Sequence, residues 1–291
     1  MNLIRVIALL LLCSPALAQR DIDFKPLEWP ASGSIVIPVA EGEALTGLAA
    51  ALDERTGGAL TMAVAEAAFT GEEHQTLTLF GIKPYARIDL VGVGGEPVDR
   101  IGAEEFGGLA ASLNDGASGT GVSILWSGIE RNDNATAARV AFGYRLGDYR
   151  FDRYQQERLE ADKRGSVIIY SDDADAGEQF DGDLVHLASA VYLARDLSSE
   201  PGNIIYPQSF VDRTREAFRG LKNVKNRVVD ETDMKRLGKC AHHGVGSRSS
   251  RPTRQHIKKN KAGGDRPTQS HAGTGLTNDT GGVKHKKKDS M

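Results

Sequence analysis

The sequence predicts an α/β fold, and two observations carry the prediction. Between residues 34 and 170, short β-branched runs alternate with stretches whose apolar residues recur at helical spacing. Strands that alternate with helices are typical of a parallel or mixed sheet with helices packed on its faces. The chain of 291 residues is also long enough to bury the cores of two domains.

The elements of the first domain follow from local pattern. The run S-I-V-I-P-V at residues 34–39 is apolar and β-branched, which predicts a buried strand. Further strands are predicted at residues 76–81, 87–91, 122–126 and 167–170. Helices are predicted at residues 45–52, 101–113 and 134–146, the first ended by Thr56-Gly57-Gly58. We expect this domain to span residues 19–172.

The second domain is predicted to begin at residue 173. Helices are expected at residues 180–197, 208–218 and 231–237, with a strand at 224–229. Large aliphatic residues, Phe and Met make up 18 of 59 positions from residue 180 to 238, but only 5 of 53 from 239 to 291. So few apolar side chains cannot offset the entropy of ordering the backbone. Residues 239–291 are therefore predicted to be degraded and disordered.

The first 18 residues have the pattern of a cleavable signal peptide. Arg5 precedes an apolar run at residues 6–12, and Ala16-Leu17-Ala18 offers a cleavage site near Ala18. The run is too short to cross a bilayer, which needs about 20 apolar residues. We expect an exported, periplasmic protein, with an N-terminal buried helix as the alternative. No membrane partner is predicted.

Charge is unevenly distributed. Residues 19–238 carry 23 Lys and Arg against 36 Asp and Glu, whereas residues 239–291 carry 12 against 3. A basic tail can bind nucleic acid, but this one has none of the aromatic residues on which single strands stack, so no nucleic-acid partner is predicted. Five of the seven histidines lie in the tail without a metal-ligand spacing, and are interpreted as incidental.

The glycine-rich run at residues 91–95 could cradle a phosphate at the end of a strand. It lacks the full G-x-G-x-x-G pattern, and Glu96-Pro97 follows where a helix should begin. A tight turn is the favoured interpretation, and no nucleotide cofactor is predicted.

Four motifs occur in an order that resembles the leucine aminopeptidase (cytosol aminopeptidase) family. They are Y-R-F-D-R-Y at 149–154, A-R-D-L-S-S-E-P-G-N at 194–203, the segment V-D-E-T-D-M-K-R-L-G at 229–238, and G-T-G-L-T-N-D-T-G-G-V-K-H-K at 273–286. The resemblance implies a macro-like N-terminal α/β domain followed by the start of an α/β metallo-aminopeptidase catalytic domain. From its alternating aromatic and charged residues, Y-R-F-D-R-Y is expected to pin a segment between two layers.

The resemblance also implies site residues. Asp279 matches a metal ligand, Lys286 matches a catalytic electrophile, and Thr274 occupies the position of the family's ligand lysine. The family uses two divalent metal ions, Mn²⁺ or Zn²⁺. Its remaining carboxylate ligands would follow Met291, so we expect a truncated chain that binds no metal pair and is inactive as given.

By resemblance, the function is removal of N-terminal, leucine-like residues from peptides by a homo-oligomer, a hexamer in the family. The alternative is a non-catalytic remnant that acts as an interaction module through its N-terminal domain.

Overall fold

The computed structural model describes residues 20–42, 44–115, 121–154, 165–221, 224–238 and 255–260. The chain forms two compact units, Met1–Glu200 and Pro201–Met291. This division lies beyond the boundary predicted between residues 172 and 173, because the helix that the sequence assigns to the second domain packs within the first unit.

The first unit is built on a six-stranded mixed sheet with the order β1-β6-β5-β2-β4-β3. Every neighbouring pair is parallel except β3 and β4, which are antiparallel. The strands are β1 (Ile22–Pro26), β2 (Gly33–Val39), β3 (Thr76–Phe80), β4 (Tyr85–Gly92), β5 (Val122–Trp126) and β6 (Val167–Ser171). The predicted α/β class with a mixed sheet is confirmed.

Helices cover both faces of this sheet. They are α1 (Gly47–Arg55), α2 (Ala59–Glu66), α3 (Arg100–Leu113), α4 (Ala137–Gly147), the short α5 (Ala176–Gln179) and α6 (Val185–Ser199). A π-helical turn, Phe180–Leu184, leads into α6. Every helix predicted in this unit is present, and each predicted strand is present within a few residues of its expected bounds.

The two faces of the sheet bury separate cores. Ile35 and Ile37 pack in one core with Leu52 and Leu60 of α1 and α2, whereas Val36 packs in the other core with α3 and α4. Successive side chains of a strand point to opposite faces, and a strand covered on both faces is apolar at every position. The unbroken run I-V-I in β2 is explained by these two cores.

Strand β1, helix α2 and the short helix α5 of the first unit were not predicted. Strand β1 lies at the sheet edge, and its exposed Asp23 and Lys25 interrupt the apolar pattern. Helix α2 starts directly after Gly58, whose φ of 84° is left-handed, and the Asp53 carboxylate accepts hydrogen bonds from the N–H groups of Leu60 and Thr61. The glycine pair therefore ends one helix and lets the next begin.

The second unit contains α7 (Pro207–Ala217), β7 (Val224–Val229), α8 (Glu231–Arg236) and β8 (Gln255–Asn260). Strands β7 and β8 pair antiparallel. Strand β8 was not predicted, and it lies within residues 239–291, for which the sequence predicts disorder. A two-stranded ladder is formed by backbone hydrogen bonds, so it can form where apolar side chains are scarce.

Candidate functional site

The site residues implied by the motif at 273–286 lie outside the described residues. These residues are Thr274, Asp279 and Lys286. Their roles therefore stay predictions from the resemblance. The described residues hold five other places where chemistry could occur, and four of them serve the fold.

The glycine-rich turn after β4 is held by its own backbone. The N–H groups of Gly92, Val93 and Gly94 donate to the carbonyl oxygens of Gln75, Val39 and Gly71, at 2.7, 3.0 and 3.1 Å. A Cβ on Gly92 would lie 2.0 Å from the Glu72 carbonyl oxygen, so the close approach of a second loop requires glycine here. Phosphate cradles need free N–H groups, and these three are occupied. The contacts support the tight-turn interpretation.

The carboxyl ends of β2 and β5 flank the switch point of the sheet, where open α/β folds bind ligands. Here two loops meet in backbone contact. A Cβ on Gly47 would lie 1.9 Å from the carbonyl oxygen of Gly128, and both glycines have positive φ. The packed backbone of these two loops therefore fills the space between the carboxyl ends of β2 and β5, where a ligand would otherwise bind.

An ion-pair cluster joins the ends of β5 and β6. Arg131 donates to Asp172 at 2.9 Å and to Asp173 at 2.7 Å. Burial opposes the charge of Arg131, but these two carboxylates outweigh it and raise the pKa of the guanidinium. Asp173 also accepts from the N–H of Ala137 at 2.6 Å, at the first turn of α4. These contacts tie a loop to a helix and account for the cluster.

The Y-R-F-D-R-Y segment contacts the second motif. Tyr149 donates to Asp196 of α6 at 2.8 Å. Arg153 and Tyr154 both donate to Glu200, whose side chain is fully buried. Two stretches that resemble the same family are thus joined by charge-assisted hydrogen bonds, and the role expected for Y-R-F-D-R-Y is supported.

The fifth place is a cluster of three side chains whose ligand chemistry the fold does not require. Glu73, His74 and Glu105 are exposed, and one ligand atom from each lies within 4.8 Å of the others. Among the described residues this is the only such group of three His, Cys, Asp or Glu residues. Sequence reasoning missed it because His74 and Glu105 are 31 positions apart and no short motif joins them.

Two family profiles match the sequence in order. Residues 36–158 match the N-terminal domain of the cytosol aminopeptidase family, and residues 192–291 match the catalytic domain of the same family. This chain belongs to the cytosol aminopeptidase family. The resemblance carried by the four motifs is confirmed, as is the assignment of the second region to an aminopeptidase catalytic domain.

Curated relatives agree with the profiles. A probable cytosol aminopeptidase of Caulobacter vibrioides is 36% identical over 283 residues, which cover 93% of this chain and 55% of the relative. The cytosol aminopeptidase of Pseudomonas aeruginosa PAO1 is 28% identical over 263 residues, covering 87% and 53%. The chain spans about half the length of the curated relatives it matches.

Solved structures share the fold. A mutant of tomato leucine aminopeptidase has a TM-score of 0.61 at 19% identity, over 76% of this chain and 46% of that one. The bottromycin maturation enzyme BotP in complex with Mn has a TM-score of 0.53 at 20% identity, over 77% and 44%. At these identities the likeness concerns the α/β architecture alone.

The prediction of an exported, periplasmic protein is wrong. The relatives are named cytosol aminopeptidases, which contradicts export. The prediction depended on one short apolar run, residues 6–12, whose composition a buried N-terminal helix can share. No helix in the described part of the chain is long and apolar enough to cross a membrane.

Proposed function

We propose that this member of the cytosol aminopeptidase family derives from a metallo-aminopeptidase that removes N-terminal residues from peptides. The observation that supports the proposal best is the ordered match of both family domains. The contacts of Arg153 and Tyr154 with Glu200 support it further, because they join the motif of the first domain to the motif that opens the second.

We assign the candidate site to the motif at 273–286. Asp279 is proposed as a metal ligand, Lys286 as the cation beside the scissile carbonyl, and Thr274 as the residue in place of a ligand lysine. When bound, a pair of divalent ions polarises a carbonyl and generates a hydroxide-like nucleophile. BotP, which shares the fold, was solved in complex with Mn, so Mn²⁺ is the first ion to try, with Zn²⁺ as the second.

The donor set of this motif does not fit two ions. Asp279 is its only carboxylate, and the neutral hydroxyl of Thr274 is a poor substitute for an amine ligand. Loss of an outer-shell partner already costs about 10–100-fold in metal affinity, so the change at a ligand position should cost at least as much. We therefore propose that Thr274 lowers metal occupancy, and with it the rate of peptide hydrolysis.

Three versions of the protein test this assignment with leucine p-nitroanilide and added Mn²⁺ or Zn²⁺. They are the unmodified protein, Thr274→Lys and Asp279→Ala. We expect the unmodified protein and Asp279→Ala to release no p-nitroaniline that depends on added metal, and Thr274→Lys to exceed that background at least about tenfold. The cytosol aminopeptidase of Pseudomonas aeruginosa serves as the positive control. Indistinguishable rates in all three versions would contradict the assignment.

A second candidate function is that of an interaction module. It is favoured by the first unit, whose sheet and two cores form among described residues before Pro201. A homo-oligomer, a hexamer by resemblance, is proposed for either function. Light scattering on the purified protein measures its mass directly, and a monomer would contradict the oligomer.

A further inference from the structure

We propose that Glu73, His74 and Glu105 form a binding site for a divalent transition-metal ion of the zinc class on the first unit. One imidazole nitrogen and two carboxylates make up the donor set, and their ligand atoms lie within 4.8 Å of one another. Imidazole favours zinc, nickel and copper, whereas magnesium and calcium favour sites made of oxygen alone. Three protein ligands leave a further position for water.

The ligand atoms of this cluster need to move only slightly to bind a zinc ion. His74 Nε2 lies 2.9 Å from a carboxylate oxygen of Glu105. Bonds of about 2.0–2.2 Å in a tetrahedral zinc site place neighbouring ligand atoms about 3.4 Å apart. The closest pair must therefore open slightly, and the Glu73 ligand atom lies within 4.8 Å of both, close enough to reach the same ion. The side chains of His74 and Glu105 are about half exposed, so rotation of side chains suffices.

The backbone that presents these ligands is held in place. Between α2 and β3, the Gln75 side-chain oxygen accepts from the N–H groups of Thr70 and Gly71 at 2.8 and 3.0 Å. The N–H of His74 donates to the Gly92 carbonyl at 3.2 Å. Glu105 lies on α3, whose N-terminus is capped by Asp99. Ligands on fixed elements lose little entropy on binding, which favours a site.

The surrounding charges leave the cluster open to a cation. Glu104, next to Glu105, is paired with Arg100 at 3.3 Å and Arg139 at 3.1 Å. In the part of the chain that the structure describes, Glu105 pairs with His74, while Glu73 has neither a hydrogen bond nor an ion pair. With neutral imidazole the three residues carry two negative charges, which attract a divalent ion.

A surface ion pair is the simpler interpretation, but it accounts for only part of the arrangement. It explains the contact between His74 and Glu105, and it leaves Glu73 beside them without a role. His74 also has a φ of 67°, in the left-handed region that non-glycine residues enter infrequently. Such conformations occur often at binding sites, where the surrounding structure fixes them.

The test measures Zn²⁺ binding to the purified full chain by isothermal titration calorimetry. The variants are His74→Asn, Glu105→Gln and Glu73→Gln, and the matched control is His186→Asn, an exposed histidine on α6. Asparagine tolerates left-handed backbone, so the variant at position 74 should keep the local fold. Glutamine keeps the shape of glutamate.

We expect the unmodified chain and His186→Asn to bind a further equivalent of Zn²⁺ that His74→Asn does not bind. Glu105→Gln and Glu73→Gln should each weaken this binding at least about tenfold. Any metal held by the motif at 273–286 or by the histidines of residues 239–291 contributes equally to all these proteins. The result is therefore independent of the proposed aminopeptidase function.

Circular dichroism without metal checks that each variant folds. If His74→Asn alone is misfolded, the isosteric Glu105→Gln decides the outcome. Zn²⁺ binding with unchanged stoichiometry and affinity in both His74→Asn and Glu105→Gln would overturn the proposal, as would an equal loss in His186→Asn.

Discussion

The contact between helices α3 and α4 depends on two glycines. A Cβ on Gly107 of α3 would lie 2.1 Å from the carbonyl oxygen of Val140, and a Cβ on Gly143 of α4 would lie 1.8 Å from that of Glu104. Real Cβ contacts are essentially never shorter than 3.0 Å. Because both obstacles are backbone atoms, Gly107→Ala must push the helices apart.

The expected loss of stability follows from that displacement. The Val140 oxygen has to retreat by about 1 Å, and a gap of that size forfeits about a quarter to a half of the attraction in each contact it opens. Overpacking costs about 1–3 kcal/mol and occasionally more. Replacing glycine with alanine inside a helix stabilises the helix by about 1 kcal/mol, because alanine has the higher helix propensity. Because the obstacle is a backbone atom, the cost of overpacking lies at the upper end of this range, about 3 kcal/mol. After the gain in helix propensity is subtracted, Gly107→Ala should lower the free energy of unfolding by about 2 kcal/mol.

Gly108→Ala is the matched control on the same helix. Its added Cβ would meet only the carbonyl oxygen of Gly143, at 3.8 Å, which is an ordinary contact. This variant should be unchanged or more stable by up to about 1 kcal/mol, from helix propensity alone. Thermal unfolding followed by circular dichroism should show a midpoint about 4–8 °C lower for Gly107→Ala.

The unfolding temperatures of Gly107→Ala and Gly108→Ala decide whether the close contact between the helices matters. If Gly107→Ala unfolds at the temperature of Gly108→Ala, the helices tolerate a methyl group between their backbones and the close contact is not essential. The double variant Gly107→Ala/Gly143→Ala should lose less stability than the two single variants together. The displacement of the helices by the first methyl group makes room for the second.

Two further predictions concern buried polar groups. Asp89 is fully buried and accepts from Arg87 Nε at 2.9 and 3.0 Å and from Thr78 at 2.6 Å, so Asp89→Ala should cost about 3 kcal/mol in urea unfolding. A loss of stability below about 1 kcal/mol would mean that water hydrates the Arg87 guanidinium once the Asp89 carboxylate is removed. Burial first, and then the hydrogen bond to Asp196, raise the pKa of Tyr149 from 10.0 to about 12. The folded state therefore holds this proton more tightly than the unfolded state, and the resulting stability is present below about pH 10 and lost as pH rises toward 12. Phenolate absorbance, compared with Tyr149→Phe, should show a lower midpoint in Asp196→Asn, and an unchanged midpoint would contradict this cause.

The sequence by itself determined the class of the fold and most elements of the sheet. Strands β2, β5 and β6 are buried on both faces, and such strands have apolar runs that local pattern identifies. The helices that cover them repeat their apolar residues at a helical period, so α3, α4 and α6 were also predicted. The sequence also determined the family, because its four motifs keep their order along the chain.

Tertiary structure decided the features that depend on distant partners. Strand β1 has exposed charged residues and is a strand because it pairs with β6, far away in the sequence. Strand β8 pairs with β7 in the same way. The need for glycine at Gly107 arises only where α4 crosses α3.

The candidate metal ligands also depend on partners that are distant in the sequence, so local pattern could not predict them. Glu73 and His74 lie on a turn and Glu105 on a helix, and nothing in either stretch indicates the other. Periodicity and motifs report what neighbouring residues require of the backbone. Which surfaces meet is set by the packing of whole elements, and a cluster drawn from two elements exists only once that packing has brought them together.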